Sequence, residues 1–557
     1  MDQKRTIIAI ALSMAVLLGW QLLFAPDPPP EGVTADKAPL AATDNNGTGS
    51  TNGGSTIGQQ PVEPTPTPTP TPVQKEIPVQ DLIIKTDTYE ATFTNRGARL
   101  KAFHILSPEQ YVPRGDLMAP EFDDDNPSPG DIYLDYLPFG TTFEGTALAL
   151  PETAMFEVVQ SDETAILFRY TDPATRFVMD KRFAVNPKSP YSFDATVEVR
   201  NTSPDALTDA LRIVMYGYQK PSEGEWSFFN PIPDISQSVC QSGDDIERTP
   251  LSDAAEGAHI EGPVRWGGVA SRYFTTTAIA PTNPFAGCDV SVRDKQFVRT
   301  ALLGDRFTLG NGSSQSWTMT AYIGPNKTDI LEVFDVGLDR MVDYGIFEPI
   351  CRPIHWLLML LYGWIGNMGV AIIVLTLILR TLMFPINQKA YKSMDGMRRI
   401  QEPMAELKKK YENDPMKMNE KMMELYKTEG VSPFGCFPQL VQIPVFFALY
   451  RTIYNSVELY HANFALWYDD LSAPDPYYIL PVLVAGAMFG QQLLMPTAST
   501  NPQMKYVMWA MPLMFAGFVF LLPSGLALYI ITSTMLGIGQ QYYIRRTGTN
   551  TPAPAKV

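Results

Sequence analysis

Apolar and polar residues alternate along much of the chain between residues 79 and 325. In the stretch YSFDATVEVRN, every second residue from Tyr191 to Val199 is apolar, and the residues between them are polar. A period of two over this length predicts a strand that is buried on one face. The stretches DLIIKTDTYEATFTNRGARLKAF and AILFRYTD have a similar pattern. We therefore predict a large antiparallel β-sandwich over residues 79–325.

Long apolar runs lie on both sides of this region. The first 25 residues place Lys4 and Arg5 before an apolar run, and Leu23 stands where cleavage after Ala25 would need a small residue. This pattern predicts an uncleaved transmembrane anchor. Five further runs predict transmembrane spans; they lie at 355–384, 436–454, 478–495, 506–522 and 526–543.

The segments between these regions have their own composition. Residues 26–78 contain PTPTPTPTP and many Gly, Thr and Asn residues, which predicts an extended tether. Residues 326–354 have apolar side chains near helical spacing and predict an amphipathic helix, which lies either at the membrane surface or on the sandwich. Residues 387–430 predict a helical hairpin, and residues 547–557 a short tail.

The distribution of charged residues predicts on which side of the membrane each of these elements lies. The net charge of −16 argues against nucleic acid as a direct partner. Lys and Arg concentrate in 381–434 and in the tail, whereas the loop 455–477 has acidic residues and no Lys or Arg. Basic segments stay in the cytoplasm. We therefore expect both termini in the cytoplasm and the β domain outside it, which is the periplasm in a bacterium with two membranes.

Polar side chains recur inside the apolar half. Arg380 lies in VLTLILRTLMFPI with Thr376 one turn before it, and Gln439 and Gln442 lie three residues apart in the next run. Tyr529, Thr532 and Ser533 form a similar stripe in the last run. Arg380 alone fits an interfacial anchor whose charge reaches the headgroups. Several polar stripes together favour a hydrophilic groove.

The motif content of the sequence limits the kinds of chemistry that the chain can perform. No H-E-x-x-H, G-x-x-x-x-G-K-[ST], G-x-S-x-G or C-x-x-C motif occurs, so we predict no enzymatic activity, no metal site and no cofactor. The hairpin carries methionines that fit either its own core or a surface for varied apolar partners; we select Met394, Met397, Met418 and Met422 as contacts. Cys240 and Cys288 are expected as buried free thiols, with a disulfide as the alternative.

Four stretches carry a resemblance to a known family. VLTLILRTLMFPI, GCFPQLVQIPVFFALY, FALWYDDLSAPDPYYILPVL and FLLPSGLALYIITS resemble the YidC membrane-protein insertases of Gram-negative bacteria. The order of anchor, large outer domain and five spans with a cytoplasmic hairpin is similar too. The resemblance implies an α+β multidomain membrane protein, with a periplasmic antiparallel β-supersandwich and a five-helix transmembrane insertase core.

The resemblance also implies a function and a site. The chain would act as an insertase and chaperone in the bacterial inner membrane, with nascent membrane proteins, the Sec translocon, ribosome–nascent chain complexes and membrane lipids as partners. Its substrate groove would contain Arg380, Thr376, Gln442, Ile443, Phe446 and Tyr529. Ile530 departs from relatives that carry a second Tyr there. Two other functions remain open from the residues alone, a solute transporter with an anion-binding arginine and a periplasmic binding module on a membrane anchor.

Overall fold

A computed structural model describes residues 77–108, 111–112, 130–174, 176–219, 236–388, 400–412, 414–428, 437–494 and 502–548. All of these residues belong to one unit of the chain, Ile77–Val557. The predicted anchor at 1–25 and almost all of the predicted tether lie outside the described residues.

The first half of the described chain is built from strands. They are β1 Asp81–Lys85, β2 Tyr89–Thr94, β3 Arg99–Ile105, β4 Gly140–Phe143, β5 Glu157–Ser161, β6 Ala165–Thr171, β7 Phe177–Val185, β8 Ser192–Asn201, β9 Leu207–Tyr218, β10 Gln237–Ser242, β11 Asp245–Pro250, β12 Ala258–Ala270, β13 Phe274–Ile279, β14 Phe285–Arg293, β15 Phe297–Leu309 and β16 Ser314–Pro325. The predicted strands in all three alternating stretches are confirmed by β1 to β3, β6 and β8.

These strands form two antiparallel sheets. The larger follows the order β4-β9-β15-β14-β12-β13-β16-β8-β7-β6-β5, with β10 and β11 attached beside β12, and the smaller is β1-β2-β3. Aromatic residues join different parts of the large sheet: Phe143 lies 6.2 Å from Phe177, and Phe307 lies 4.8 Å from Trp317, between ring centroids. The small sheet adds Phe93, whose ring lies 4.4 Å from Phe183. The result is the antiparallel β-sandwich that the alternation predicted.

Strand β8 shows how the sequence pattern builds this core. Phe193, Ala195, Val197 and Val199 are all buried, and the polar residues between them are partly exposed. Ser192 breaks the pattern because it is buried too; its hydroxyl donates a hydrogen bond of 2.8 Å to the carbonyl oxygen of a neighbouring residue in the preceding turn. A buried hydroxyl is tolerated when it has such a partner.

A disulfide joins Cys240 and Cys288, so the expectation of two free thiols is wrong. Strands β10 and β14 both pair with β12, where Cys240 lies opposite Gly267 and Cys288 opposite Ile260. The bond therefore links two strands that flank the same neighbour, which the sequence separation of 48 residues does not reveal. In the described residues Cys351 is a buried free cysteine.

The second half of the described chain is helical. The α-helices of the whole described chain are α1 Leu251–Ala254, α2 Thr328–Leu331, α3 Glu348–Ile365, α4 Met368–Leu382, α5 Gln401–Lys410, α6 Pro415–Thr428, α7 Phe437–Tyr454, α8 Ile479–Leu494, α9 Pro502–Val519 and α10 Ser524–Gly548. Among the helices of the described ranges, we find none with the length and apolar content needed to cross a membrane.

Two segments differ from their expected helices. Residues 326–354 do not form one amphipathic helix, because Asp335, Gly337 and Gly345 adopt left-handed backbone angles that interrupt it. The buried Leu331 in this segment belongs to the core of the sandwich. The run 355–384 is likewise not one helix: Gly366, with φ of 72°, ends α3 and separates it from α4.

Contacts between the β domain and the helical part occur at the β12–β13 turn. The guanidinium carbon of Arg272 lies 3.9 Å from the ring centroid of Tyr454, at the end of α7. The rings of Tyr273 and Phe274 lie 5.6 and 5.5 Å from the ring of Tyr460. The turn thus contacts both the last residue of α7 and the loop that follows it.

Candidate functional site

Arg380 lies in the last turn of α4, the helix that Asn367 begins. The side-chain oxygen of Asn367 accepts a hydrogen bond of 3.0 Å from the backbone N–H of Val370, an N-cap that fixes the start of the helix after Gly366. Arg380 also suits the end of a helix, because the carbonyl groups exposed there favour a positive charge. Its side chain is half-buried.

The partner of Arg380 is an uncharged hydroxyl. Its Nε and Nη2 atoms donate hydrogen bonds of 3.0 and 2.6 Å to Oγ of Ser533 on α10. Among the residues that the structure describes, no Asp or Glu oxygen lies within 4.0 Å of the Arg380 guanidinium. A guanidinium has five N–H donors. Ser533 engages two of them, and the positive charge has no described counter-charge.

A small pocket surrounds this pair. Three helices line it. Helix α4 supplies Thr376, Leu379 and Arg380, and Met383 follows directly after that helix. Helix α7 supplies Val445 and Leu449, and helix α10 supplies Tyr529 and Ser533. The pocket is partly open, and its volume of about 10 Å³ is about what one water molecule needs. Half of its lining residues are polar, and the other half are apolar.

The structure brings most of the predicted groove residues with described side chains to this pocket. Thr376 is 1% exposed and lines it, although its hydroxyl donates to the carbonyl of Ile372 on the same helix at 2.7 Å. Tyr529 is buried and lines it as well, and the ring of Phe446 lies 6.1 Å from that of Tyr529. Gln442 and Ile443 belong to α7, but their side chains lie outside the described residues.

Sequence reasoning overlooked the apolar half of the pocket. Leu379 and Met383 flank Arg380, and Val445 and Leu449 stand one turn apart on α7. Their helical spacing was visible in the sequence, but an apolar residue in an apolar run carries no signal that distinguishes a pocket wall from lipid contact. Ser533 was part of a predicted polar stripe, yet only its position across from Arg380 makes it a site residue.

Of the four methionines selected in the hairpin segment, the structure describes two. Met418 and Met422 lie one turn apart on α6 and are half-buried, whereas Met394 and Met397 lie outside the described residues. Helix α5 contacts α6 through a hydrogen bond of 3.7 Å from the Tyr426 hydroxyl to the sulfur of Met404.

A second polar cluster lies in the loop after α7. Glu458 is 4% exposed; it accepts a hydrogen bond of 2.6 Å from the Ser456 hydroxyl, and its carboxylate lies 3.5 Å from Nε2 of His355 on α3. Burial opposes ionisation of Glu458, but His355 and Ser456 outweigh it and lower the pKa of the carboxyl group. His355 is therefore the partner of a buried carboxylate.

Comparison with known proteins assigns this architecture to a family. A family model described as "60Kd inner membrane protein" matches residues 360–551, and another described as "YidC periplasmic domain" matches residues 81–357. The membrane protein insertase YidC of Syntrophus aciditrophicus is 31% identical over 98% of this chain and 99% of its own length. The chain belongs to the YidC family. This confirms the resemblance predicted from the four motifs.

Two further relatives extend the comparison. The membrane protein insertase YidC of Geotalea daltonii is 32% identical over 98% of this chain and 99% of its own. The crystal structure of an active YidC insertase with its first transmembrane domain resolved is 18% identical, with a TM-score of 0.35 over 85% of this chain and 93% of that one. Within the YidC family, the β-sandwich corresponds to the part described as the periplasmic domain.

Proposed function

We propose that the chain is a membrane-protein insertase and chaperone of the bacterial inner membrane. Membership of the YidC family and the names of its relatives support this function over a solute transporter or a periplasmic binding module. In this proposal both termini and the α5–α6 hairpin are cytoplasmic, and the sandwich is periplasmic. Nascent membrane proteins are the substrates, delivered by ribosomes or shared with the Sec translocon.

The observation that supports the mechanism best is the half-buried Arg380 with a neutral partner. Because Ser533 engages two of its donors, three N–H groups and the whole positive charge are available to an incoming chain. Carboxylates and carbonyl oxygens are the groups that such donors bind. We infer that Arg380 attracts the polar or acidic segment that must cross the membrane, and that it releases this segment once the rest of the chain has moved.

The pocket around Arg380 is too small for a polypeptide. Space for about one water molecule means that α4, α7 and α10 must separate before a polar segment enters. When they separate, Tyr529, which lines the pocket, and Phe446, whose ring lies beside it, offer an apolar surface to the hydrophobic segment. That segment would then slide along α7 and α10 into the lipid, while Arg380 retains the polar part.

The hairpin would receive the chain first. Met416 is 84% exposed and Met423 is 52% exposed on α6, next to the half-buried Met418 and Met422. Flexible thioether side chains adapt to apolar partners of different shape. The surface of α6 can therefore hold hydrophobic segments of varied sequence before they reach Arg380.

The test compares two substrates in proteoliposomes. Charge-assisted hydrogen bonds contribute about 1.5–3 kcal/mol, so Arg380→Ala should slow insertion of a substrate with an acidic translocated tail by roughly 10- to 100-fold. A substrate with a short, uncharged tail should be affected much less, and Arg380→Lys should restore most of the rate. Arg352→Ala is the matched control, because that arginine already forms an ion pair of 2.7 Å with Glu348.

Two results would contradict the mechanism. If Arg380→Ala slows both substrates equally, the arginine supports the fold of the core and does not select polar segments. If Arg380→Lys is as slow as Arg380→Ala, the forked geometry of the guanidinium matters, and charge alone does not explain the effect.

A further inference from the structure

The β domain contains a much larger pocket than the one around Arg380. Its volume is about 180 Å³, and it lies where β9, β12, β13 and β15 come together. Four Ser and Thr residues contribute hydroxyl groups to its lining. Six aromatic residues line it as well: Tyr133, Tyr136, Tyr216, Tyr218, Phe274 and Phe297. We call this space the aromatic pocket.

Contacts outside the aromatic pocket hold several of its rings in place. The ring of Tyr136 lies 4.5 Å from that of Phe297 and 5.1 Å from that of Tyr216, between centroids. The Tyr136 hydroxyl donates a hydrogen bond of 2.7 Å to Asp294, and the Tyr216 hydroxyl donates one of 2.7 Å to Glu152. The rings are therefore fixed before a ligand arrives, which lowers the entropy cost of binding.

A cluster of aromatic rings on a sheet can also be a small core without any ligand. Tyr216 and Phe297 do belong to a hydrophobic cluster that is separate from the main core of the sandwich. The interior of a core is close-packed, however, with few spaces larger than a water molecule. The aromatic pocket has room for several water molecules between its rings. This space favours a binding site over a filled core.

The lining of the aromatic pocket limits the chemistry of its ligand. None of the described residues that line it is charged. A charged ligand would lose its water there without gaining a counter-charge. A purely apolar ligand would remove water from the Ser and Thr hydroxyls without replacing its hydrogen bonds. The ligand that fits is neutral and has both an apolar face and polar edges.

A sugar ring in the pyranose form has these properties. The C–H groups on its faces pack against aromatic rings, and its hydroxyl groups exchange hydrogen bonds with side-chain hydroxyls, which both donate and accept. Pockets for drug-sized ligands have volumes of about 300–1,000 Å³, so 180 Å³ suits a single ring. An extended peptide rises by about 3.1 Å per residue and needs a longer groove.

The aromatic pocket lies next to the contact between the sandwich and the helical part. Phe274, at the start of β13, lines the pocket, and its ring also lies 5.5 Å from that of Tyr460 in the loop after α7. Ser271, in the turn before β13, lines the pocket too. A ligand in the pocket would therefore contact the turn that joins the two parts of the protein.

We propose that the aromatic pocket binds a neutral pyranose unit of a glycan. This inference rests on the proposed function for its compartment, because a periplasmic sandwich faces the polysaccharides of the cell wall. It adds a binding activity to the insertase and replaces no step of insertion. A glycan held in the pocket would attach the β domain to the cell wall close to the helical core.

The experiment measures the binding of neutral trisaccharides to the full-length protein in detergent by calorimetry. Maltotriose, cellotriose and chitotriose are the probes, and we expect at least one to bind with a Kd of about 1 mM or tighter. Tyr218→Ala removes one ring and should weaken binding about tenfold. Tyr218→Phe keeps the ring and should retain most of the affinity. Tyr170→Ala is the matched control, because this half-buried tyrosine of β6 does not line the pocket.

A second measurement keeps every ring in place. 3-Fluorotyrosine at position 218 should show a shifted ¹⁹F resonance when the bound trisaccharide is added, and the same label at position 170 should not. This reading stays valid if Tyr218→Ala does not fold.

Three outcomes overturn the proposal. If none of the trisaccharides binds to the folded protein, the pocket is not a sugar site. If one binds but neither Tyr218→Ala nor the label at position 218 responds, the sugar binds elsewhere. If an uncharged nonapeptide of Pro, Ser and Gly displaces the bound trisaccharide at a lower concentration than the trisaccharide itself needs, the pocket is a peptide site.

The proposed function fails separately from this inference, because sugar binding is measured without insertion. If a trisaccharide binds and Arg380→Ala leaves insertion of acidic tails intact, the pocket stands and the groove mechanism is wrong. If Arg380→Ala slows those tails and no trisaccharide binds, the mechanism stands and the sugar site is wrong.

Discussion

Lys181 is a buried lysine in the β domain, and its titration should be visible in the stability of the protein. It lies on β7, is 1% exposed, and donates a hydrogen bond to the carbonyl oxygen of Phe139. Within the described ranges no carboxylate forms an ion pair with it. Burial, with a smaller effect of the nearby Arg99, holds the pKa of Lys181 well below its ordinary value.

The sign of the effect follows from proton binding. Between the lowered pKa of the folded protein and about 10.4 in the unfolded chain, the unfolded chain binds more protons at this position. Stability therefore rises with pH in that window, with a slope of at most about 1.4 kcal/mol per pH unit for one group. From pH 8 to pH 10 the gain is up to about 2.8 kcal/mol. Lys181→Met removes this contribution.

The measurement is the difference in the free energy of unfolding by urea between the unmodified protein and Lys181→Met at several pH values. A ¹⁹F label on Trp266, which is fully buried in the sandwich, reports on unfolding of the β domain. The free energy of unfolding of the unmodified protein should increase relative to that of Lys181→Met as pH rises. Lys188→Met, at an exposed position, is the control and should keep the pH profile of the unmodified protein. A difference that stays constant from pH 7 to pH 10 would refute the lowered pKa.

Three further predictions concern other contacts. The lowered pKa of Glu458 adds stability that is complete above the ordinary pKa of Glu and is lost as pH falls below it, through the lower pKa of the folded protein. Glu458→Gln should therefore flatten the acid limb of a thermal-unfolding series, and an unchanged limb contradicts this. Arg272→Met and Tyr454→Leu should show a coupling of about 1 kcal/mol in a double-mutant cycle, since the cation lies 3.9 Å from the ring, and zero coupling would exclude that contact as a stabilising one. Gly268→Ala should destabilise the sandwich by about 2 kcal/mol or more in urea unfolding, because its Cβ would lie 2.1 Å from the carbonyl oxygen of Thr276; a neutral effect would show that the strands can move apart.

The parts of the fold that the sequence predicted are those in which local pattern decides the outcome. Alternation from Tyr191 to Val199 identified β8, because one face of that strand is in the core. The segment 326–354 was not predictable in the same way. Its apolar spacing suits a helix, but left-handed residues such as Asp335 interrupt it, and packing against the sandwich determines where those interruptions fall.

The residues of the candidate site also divide into those that a local sequence pattern identifies and those that it does not. A charge in an apolar run is conspicuous, so Arg380 was selected from the sequence, and Thr376 and Tyr529 followed from helical spacing. The role of Ser533 depends on how α4 faces α10, and the disulfide of Cys240 depends on the strand order around β12. Both are long-range properties of topology, and no local pattern reports them.

The hydroxyl partner of Arg380 has a consequence for the working cycle of the protein. Under the proposed mechanism, a substrate carboxylate that reaches the guanidinium displaces a serine hydroxyl and does not have to break an ion pair. Ser533 is in place to bind the guanidinium again after the substrate has left, so the arginine keeps a hydrogen-bond partner between one client and the next.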